Sequence, residues 1–198
     1  DGVRINDIPP RQRQINTVFQ KYALFPHLNV FENVAFGLRM QKRPDPADPT
    51  GKHRVKIPEE EIRQRVMDML ESVSLKGFEN RKPDALSGGQ QQRVAIARAI
   101  VLQPKFLFCD EPNSGLDPLT SIVIDNLISE LTHEYNMTTV VNTHDMNSVF
   151  EIGEKIVFIH EGRKEWEGSK EQIAHTDNPY LNEFIFSSQL FKLIKKDL

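Results

Sequence analysis

The sequence predicts an α/β domain built on a mostly parallel sheet. The first observation is a set of apolar runs, KFLFCD (105–110), TTVVNTH (138–144) and KIVFIH (155–160), alternating with segments of helical period. That alternation is what parallel strands joined by crossover helices produce. The second is that all three runs are dense in β-branched or aromatic residues with little polar alternation. Such runs suit strands covered on both faces. The third is length: 198 residues suffice for one domain with a real core, or one domain plus a small insert.

Taken in order, INTVFQ begins a strand that ends near Gln20, and a loop then leads to a helix with Phe31, Val34, Ala35 and Leu38 on one face. Residues 44–58, PDPADPTGKHRVKIP, are rich in proline and charge and read as a surface loop or mobile insertion. EEEIRQRVMDMLESV (59–73) is a helix with acids in its first turn and Ile62, Val66, Met69, Leu70 and Val73 facing inward. From about 24 to 90 the expectation is therefore a mostly helical subdomain inserted into the α/β body. PLTSIVIDNLISELTHEY (118–135) carries Leu119, Ile122, Val123, Leu127 and Leu131 on one stripe, with Pro118 suited to a first helical position. Glu161-Gly162 predicts a hairpin to a short antiparallel edge strand.

Composition narrows the function classes. Charged residues make up 27% and apolar ones 38%, with a formal net charge of -3, an ordinary soluble composition with no electrostatic case for nucleic acid as a partner. Cys109 is the sole cysteine, so an internal disulfide and a thiolate metal cluster are both excluded, and its setting in KFLFCDE suits a small buried apolar side chain. No apolar run approaches the ~18 residues needed to cross a bilayer. DGVRINDIPP has no signal-peptide character, and the chain is expected to be soluble and intracellular.

Chemistry concentrates in four places. In LSGGQQQR, Ser87 with Gln90 three residues on forms a capping box. Capping explains those two residues but leaves Gly88 and Gly89, each costing about 1 kcal/mol in a helix relative to alanine. Bare glycines at a helix start would let phosphate oxygens reach unpaired N–H groups at the positive end of the dipole. In FLFCDEPNSGLDP, an apolar strand ends in two acids, at the strand end where open α/β sheets bind ligands. Asp110 is placed to hold Mg²⁺ and Glu111 to polarise a water, although a pair capping the next turn explains the acids equally well. VVNTHD ends a strand at His144, and INTVFQ ends one at Gln20. Each of these is weak alone, and a lone histidine there is more often a satisfied polar residue.

The order of these signals (Gln20, LSGGQ at 86–90, the strand into Asp110-Glu111, GLD at 115–117, and the strand into His144) resembles the nucleotide-binding subunit of ATP-binding cassette transporters across nearly the whole chain. The resemblance implies a P-loop NTPase-like sheet, incomplete at the N-terminus, with an inserted helical subdomain. It divides the chain into a core remnant at 1–23, a helical subdomain at 24–90 with a surface insertion at 44–58, an α/β core at 91–168 and a helical tail at 169–198. It implies ATP and Mg²⁺ as cofactors. Ser87, Gly88, Gly89 and Gln90 would contact the γ-phosphate of ATP held by a second ATPase subunit, and Asp117 would bridge the two subunits. Asp110 would hold Mg²⁺, Gln20 would sense Mg²⁺ and the attacking water, Glu111 would be the general base, and His144 would touch the γ-phosphate. Transmembrane permease subunits would be the partners, with a coupling helix near the aromatic segment 22–36, and the protein would sit on the cytoplasmic face of the membrane.

Two departures qualify the likeness. The family's phosphate loop, G-x-x-x-x-G-K-[ST], is absent; the near match TGKH (50–53) has Pro46 in place of the first glycine and His53 in place of Ser or Thr. The simplest account is a chain that starts too late, expected to bind ATP poorly alone. In addition, residues 1–43 resemble spermidine/putrescine importers, whereas 106–190 resemble ATPases of lipid-trafficking systems with Mce-type partners, with a switch near LSGGQQQR. The rival functions are a non-catalytic docking fragment and a soluble cassette ATPase acting on DNA or ribosomes, the latter disfavoured by the acidic balance.

Overall fold

The structure is a computed structural model that describes residues 4–50, 52–173 and 175–185. Residues up to Asn142 form one compact unit and those from Thr143 onward a second. In the first, strands β1 (Ile15–Val18), β4 (Phe106–Asp110) and β5 (Thr138–Asn142) lie parallel in the order β1-β4-β5. Their register sets Val18 opposite Cys109 and Cys109 opposite Val141. The predicted α/β class with a parallel sheet is what the chain adopts.

Helices α1 (Val30–Met40), α2 (Glu59–Ser72), α3 (Gly88–Ile100) and α4 (Pro118–Glu134) supply the rest of this core. The stripe predicted for α2 is buried as expected, with Ile62, Val66, Met69, Leu70 and Val73 all inside. On α1, Val34, Ala35 and Leu38 are buried, together with Asn33, which the apolar pattern does not announce. Asn33 Oδ1 accepts the Phe25 N–H at 2.8 Å, and its amide donates to the carbonyls of Phe25, Leu28 and Asn29. One buried side chain thereby ties the segment after Gln20 to the helix.

Four expectations are corrected. Residues 44–58 are not wholly loop: β2 (Lys42–Pro44) and β3 (Arg54–Lys56) pair as an antiparallel ribbon. Its connection is closed by Asp45 and Asp48, which accept hydrogen bonds from Ala47, Thr50 and His53. On α4 the buried residues are Ile124, Asp125, Leu127, Ile128 and Leu131, whereas Leu119 is 77% and Val123 53% exposed. The helix turns a different face inward, and its first turn lies against the start of α3, where Thr120 stands beside Gly89. Among the described residues one face of the strands is better covered than the other: Leu107 and Cys109 are buried, while Phe106, Phe108 and Val140 on the other face are 44%, 39% and 47% exposed. Burial pushes the Cys109 thiol up to about 12, so it is inert. Finally, β6 (Ile156–His160) does not extend the parallel sheet; among the described residues it pairs only with β7 (Arg163–Gly168). Positive φ values at Glu161 (47°) and Gly162 (75°) fit the tight hairpin turn predicted there.

The second unit holds that hairpin, α5 (Met146–Ile152), α6 (Lys170–Ile173) and α7 (Pro179–Ile185), around a small core of Ile173, Leu181 and Ile185. The remainder of the predicted helical tail, 186–198, lies outside the described residues, as does Gly51 of TGKH. Among the described residues no helix is long and apolar enough to cross a membrane.

Asn33→Ala strands buried backbone groups of the 25–29 segment. It is expected to cost about 2 to 3 kcal/mol in urea unfolding; an unchanged midpoint would contradict the role given to the side chain.

Candidate functional site

Helix α3 begins where the sequence places it. Ser87 is its N-cap, its Oγ accepting the Gln90 N–H at 3.3 Å while its own N–H donates to Gln90 Oε1 at 2.9 Å. The predicted capping box is present. It uses two of the first-turn groups and leaves the amide end of an 88–100 helix beside an exposed serine.

The glycines have a reason that motif reading alone missed. A Cβ on Gly89 would stand 2.5 Å from Thr120 Cγ2, and one on Gly88 would stand 3.0 Å from the Tyr22 hydroxyl and 3.2 Å from Leu116 Cδ2. Thr120 cannot easily turn away, since its hydroxyl donates to Asp117 Oδ2 and its N–H to Asp117 Oδ1. The start of α3 is therefore wedged between the loop after β1 and the loop after β4. A side chain at Gly89 would force Thr120 to shift, and one at Gly88 would press on Tyr22 and Leu116.

The second of those loops carries the acids. Asp110 ends β4, exposed, with its Oδ1 accepting from Asn142 Nδ2 at 2.8 Å. Glu111 follows with φ 47°, a left-handed conformation that is unusual outside glycine and turns the chain out of the sheet. Its N–H donates to the Asn142 carbonyl at 2.8 Å, so one residue of β5 steadies both acids. The chain then turns through Gly115, φ 76°, to Asp117. Asp117 is the N-cap of α4, and its bonds from Thr120 hold its carboxyl below the usual range.

Gln20 lies two residues beyond β1, and its Nε2 donates to Ser114 Oγ at 3.0 Å, joining the first loop to the acid-bearing one. Next to it, Tyr22 and Ala23 both have positive φ, 60° and 49°. Arg98 on α3 holds that bend by donating to the Tyr22 and Ala23 carbonyls at 3.1 and 2.7 Å. Gln20, Ser87, Gly88, Gly89, Gln90, Asp110, Glu111 and Asp117 thus belong to one unit, at the start of α3, the end of β4 and the loops after β1 and β4. The strand ends at Asn142, and exposed His144 belongs to the second unit, just before Asp145, the N-cap of the short α5.

Sequence reasoning missed Tyr22, Arg98, Ser114, Leu116, Thr120 and Asn142, which shape the site through contacts remote in sequence. The group Mg²⁺ can be tested against these residues. Asp110 offers a carboxylate oxygen beyond the one taken by Asn142, at an exposed strand end. Mg²⁺ typically takes one or two carboxylates and completes its shell with water and phosphate. The residues fit such an ion.

Comparison with known proteins decides the family. Residues 1–114 match the ABC transporter family. The chain belongs to the ABC transporter family. It is similar to the spermidine/putrescine import ATP-binding proteins PotA of Clostridium novyi (strain NT), 41% identical over 96% of this chain and 51% of that protein, and of Oleidesulfovibrio alaskensis, 44% identical over 93% and 46%. The chain spans about half the length of these curated relatives. In them the likeness to polyamine importers continues past residue 86 across nearly the whole chain, so the expected switch to an Mce-type subfamily finds no support there. Among solved structures it resembles the dimeric ATP-binding cassette MJ0796 bound to ADP and Pi (TM-score 0.67, 36% identity, 85% of this chain and 71% of that one). It also resembles cbiO1 from Clostridium perfringens, part of the ABC transporter complex cbiONQ (TM-score 0.71, 29% identity, 92% and 67%). The fold is thus that of an ABC transporter nucleotide-binding domain.

Gly89→Ala in this domain is expected to cost about 1 to 3 kcal/mol through overpacking. Thr120→Ser, which removes only Cγ2 and keeps the hydroxyl for Asp117, should recover most of that loss. A double-mutant cycle in urea measures the coupling, and strictly additive penalties would refute the wedge.

Proposed function

We propose that the chain is the ATP-binding and ATP-hydrolysing part of a membrane transporter, of importer type. The observation that carries this reading is the junction at α3: the amide end of the LSGGQ helix is packed against the loop bearing Asp110, Glu111 and Asp117. The relatives named as import ATP-binding proteins, and the dimeric cassette bound to ADP and Pi, support it.

In this reading two copies face each other. The first-turn amides of α3, with Ser87 and Gln90, bind the terminal phosphate of ATP held by the other copy, where the helix dipole favours negative charge. Asp117 lies at the seam between copies, its carboxylate oriented by Thr120. Mg²⁺, when bound, neutralises phosphate charge, and Asp110 would hold it. Glu111 is the general base: it follows the strand end in a left-handed turn, and the Asn142 carbonyl fixes the backbone from which it reaches. It takes the proton of the attacking water, in a reaction where the protein supplies mostly positioning and charge stabilisation. Gln20, held by Ser114, is placed to report on that water and on the permease bound near 22–36. His144 contacts the same phosphate. The work is done at the inner face of the membrane, against transmembrane permease subunits.

The phosphate-binding loop of the family is not in this sequence. The test therefore uses a chain that carries that loop as well. Glu111→Gln is expected to reduce ATP turnover at least a hundredfold while ATP-driven dimerisation, followed by light scattering, persists. Turnover within a few-fold of the parent would remove Glu111 from the role.

A further inference from the structure

The hairpin of β2 and β3 has two unlike faces. Side chains alternate along each strand, so Arg43 and Val55, which pair across the ribbon, share one face, and Lys42, Pro44, Arg54 and Lys56 share the other. The first face is anchored, with Arg43 donating to Glu61 of α2 at 2.5 Å. The second is exposed and cationic. Lys42 stands directly opposite Lys56, and like charges at directly opposed positions destabilise a strand pair.

Nothing in the unit relieves that repulsion. Lys42, Lys52, Arg54 and Lys56 make no ion pair among the described residues. The two acids of the segment are used for folding its connection: Asp45 accepts from Ala47 and His53, and Asp48 from Thr50 and His53. Residues 42–56 hold five basic residues against two acids, in a chain whose formal net charge is -3. The positive charge is concentrated here against an acidic background.

We infer that the outward face of this hairpin is a docking surface for anionic phospholipid headgroups of a bilayer. Lysine and arginine clusters beside a membrane gain about fivefold in affinity per residue when the surface is anionic. Met40, which ends α1 two residues before Lys42, is 73% exposed and supplies the apolar neighbour that interfacial segments press into the headgroup boundary. A single-stranded nucleic acid fits less well, because residues 42–56 contain no phenylalanine, tyrosine or tryptophan on which bases would stack. The inference rests on the reading of the chain as part of a membrane transporter, and it adds a direct lipid contact to that reading.

The 198-residue chain is sedimented with vesicles of phosphatidylcholine containing phosphatidylglycerol, and with vesicles of phosphatidylcholine alone. It is expected to bind the first and not the second, and to be released by raised salt, since screening shortens the reach of exposed charges. Lys42→Gln with Arg54→Gln and Lys56→Gln should weaken binding about a hundredfold. Lys76→Gln with Lys170→Gln, at exposed positions elsewhere, should leave it unchanged. Equal binding to both vesicle types, an undiminished triple variant, or a stronger salt-sensitive preference for poly-uridylate would each overturn the inference. If the triple variant unfolds, the lipid and salt preference of the parent still decides. ATP hydrolysis is measured separately: a loop-bearing chain that turns over ATP but ignores phosphatidylglycerol refutes the docking surface alone, and the reverse result refutes the ATPase reading alone.

Discussion

The site depends on there being no room for a methyl group where α3 begins. Gly89 faces Thr120 at a distance where a side chain would force Thr120 to shift, and Gly88 faces Tyr22 and Leu116. Because those neighbours come from the loops after β1 and β4 and from the first turn of α4, the close approach brings separate parts of the sequence to one place. The consequences follow in order. Thr120 is fixed, so Asp117 is fixed, and α4 starts at a defined point. Arg98, nearly three turns further along α3, then reaches the bend at Tyr22 and Ala23, next to the contact of Gln20 with Ser114. In the proposed function the same bareness also serves anion binding at the first-turn amides. The two explanations of the glycines are complementary.

A second constraint acts at the end of β4. Asp110 and Glu111 are adjacent, yet Asp110 closes the strand while Glu111 takes a left-handed backbone conformation. Asn142 serves both, its amide on the Asp110 carboxylate and its carbonyl on the Glu111 N–H. Pairing of β4 with β5 therefore does more than build a sheet; it brings Asn142 onto the Asp110 carboxylate and the Glu111 N–H. This is how an ordinary parallel ladder is converted into a site at its carboxyl edge.

What was legible in the sequence was what periodicity and local chemistry encode. The buried stripes of α1 and α2, the capping box at Ser87 and Gln90, the parallel strands and the Glu161-Gly162 turn are all local or repetitive signals. The hairpin at 42–56 escaped because its strands are three residues long, one contains Pro44, and proline and charge ordinarily mark loops. On α4, Leu119, Ile122 and Val123 are as apolar as the residues actually buried, so composition could not say which face turns inward. Uneven covering of the sheet was likewise invisible, since Phe106, Phe108 and Val140 read like core residues. Tyr22, Arg98, Ser114, Leu116, Thr120 and Asn142 act through partners distant in sequence, and a single chain read alone carries no trace of such pairings.

The claim on which the account stands is that the bare start of α3 is both a packing wedge and the receiver of a terminal phosphate. Amide resonances of Ser87, Gly88, Gly89 and Gln90 report on it directly, recorded in a chain bearing the phosphate loop and Glu111→Gln, before and after addition of ATP and Mg²⁺. The account predicts large shifts at these four amides that grow with protein concentration, as a site shared between copies requires. Saturating nucleotide that leaves all four unmoved, while shifting residues elsewhere, would contradict it.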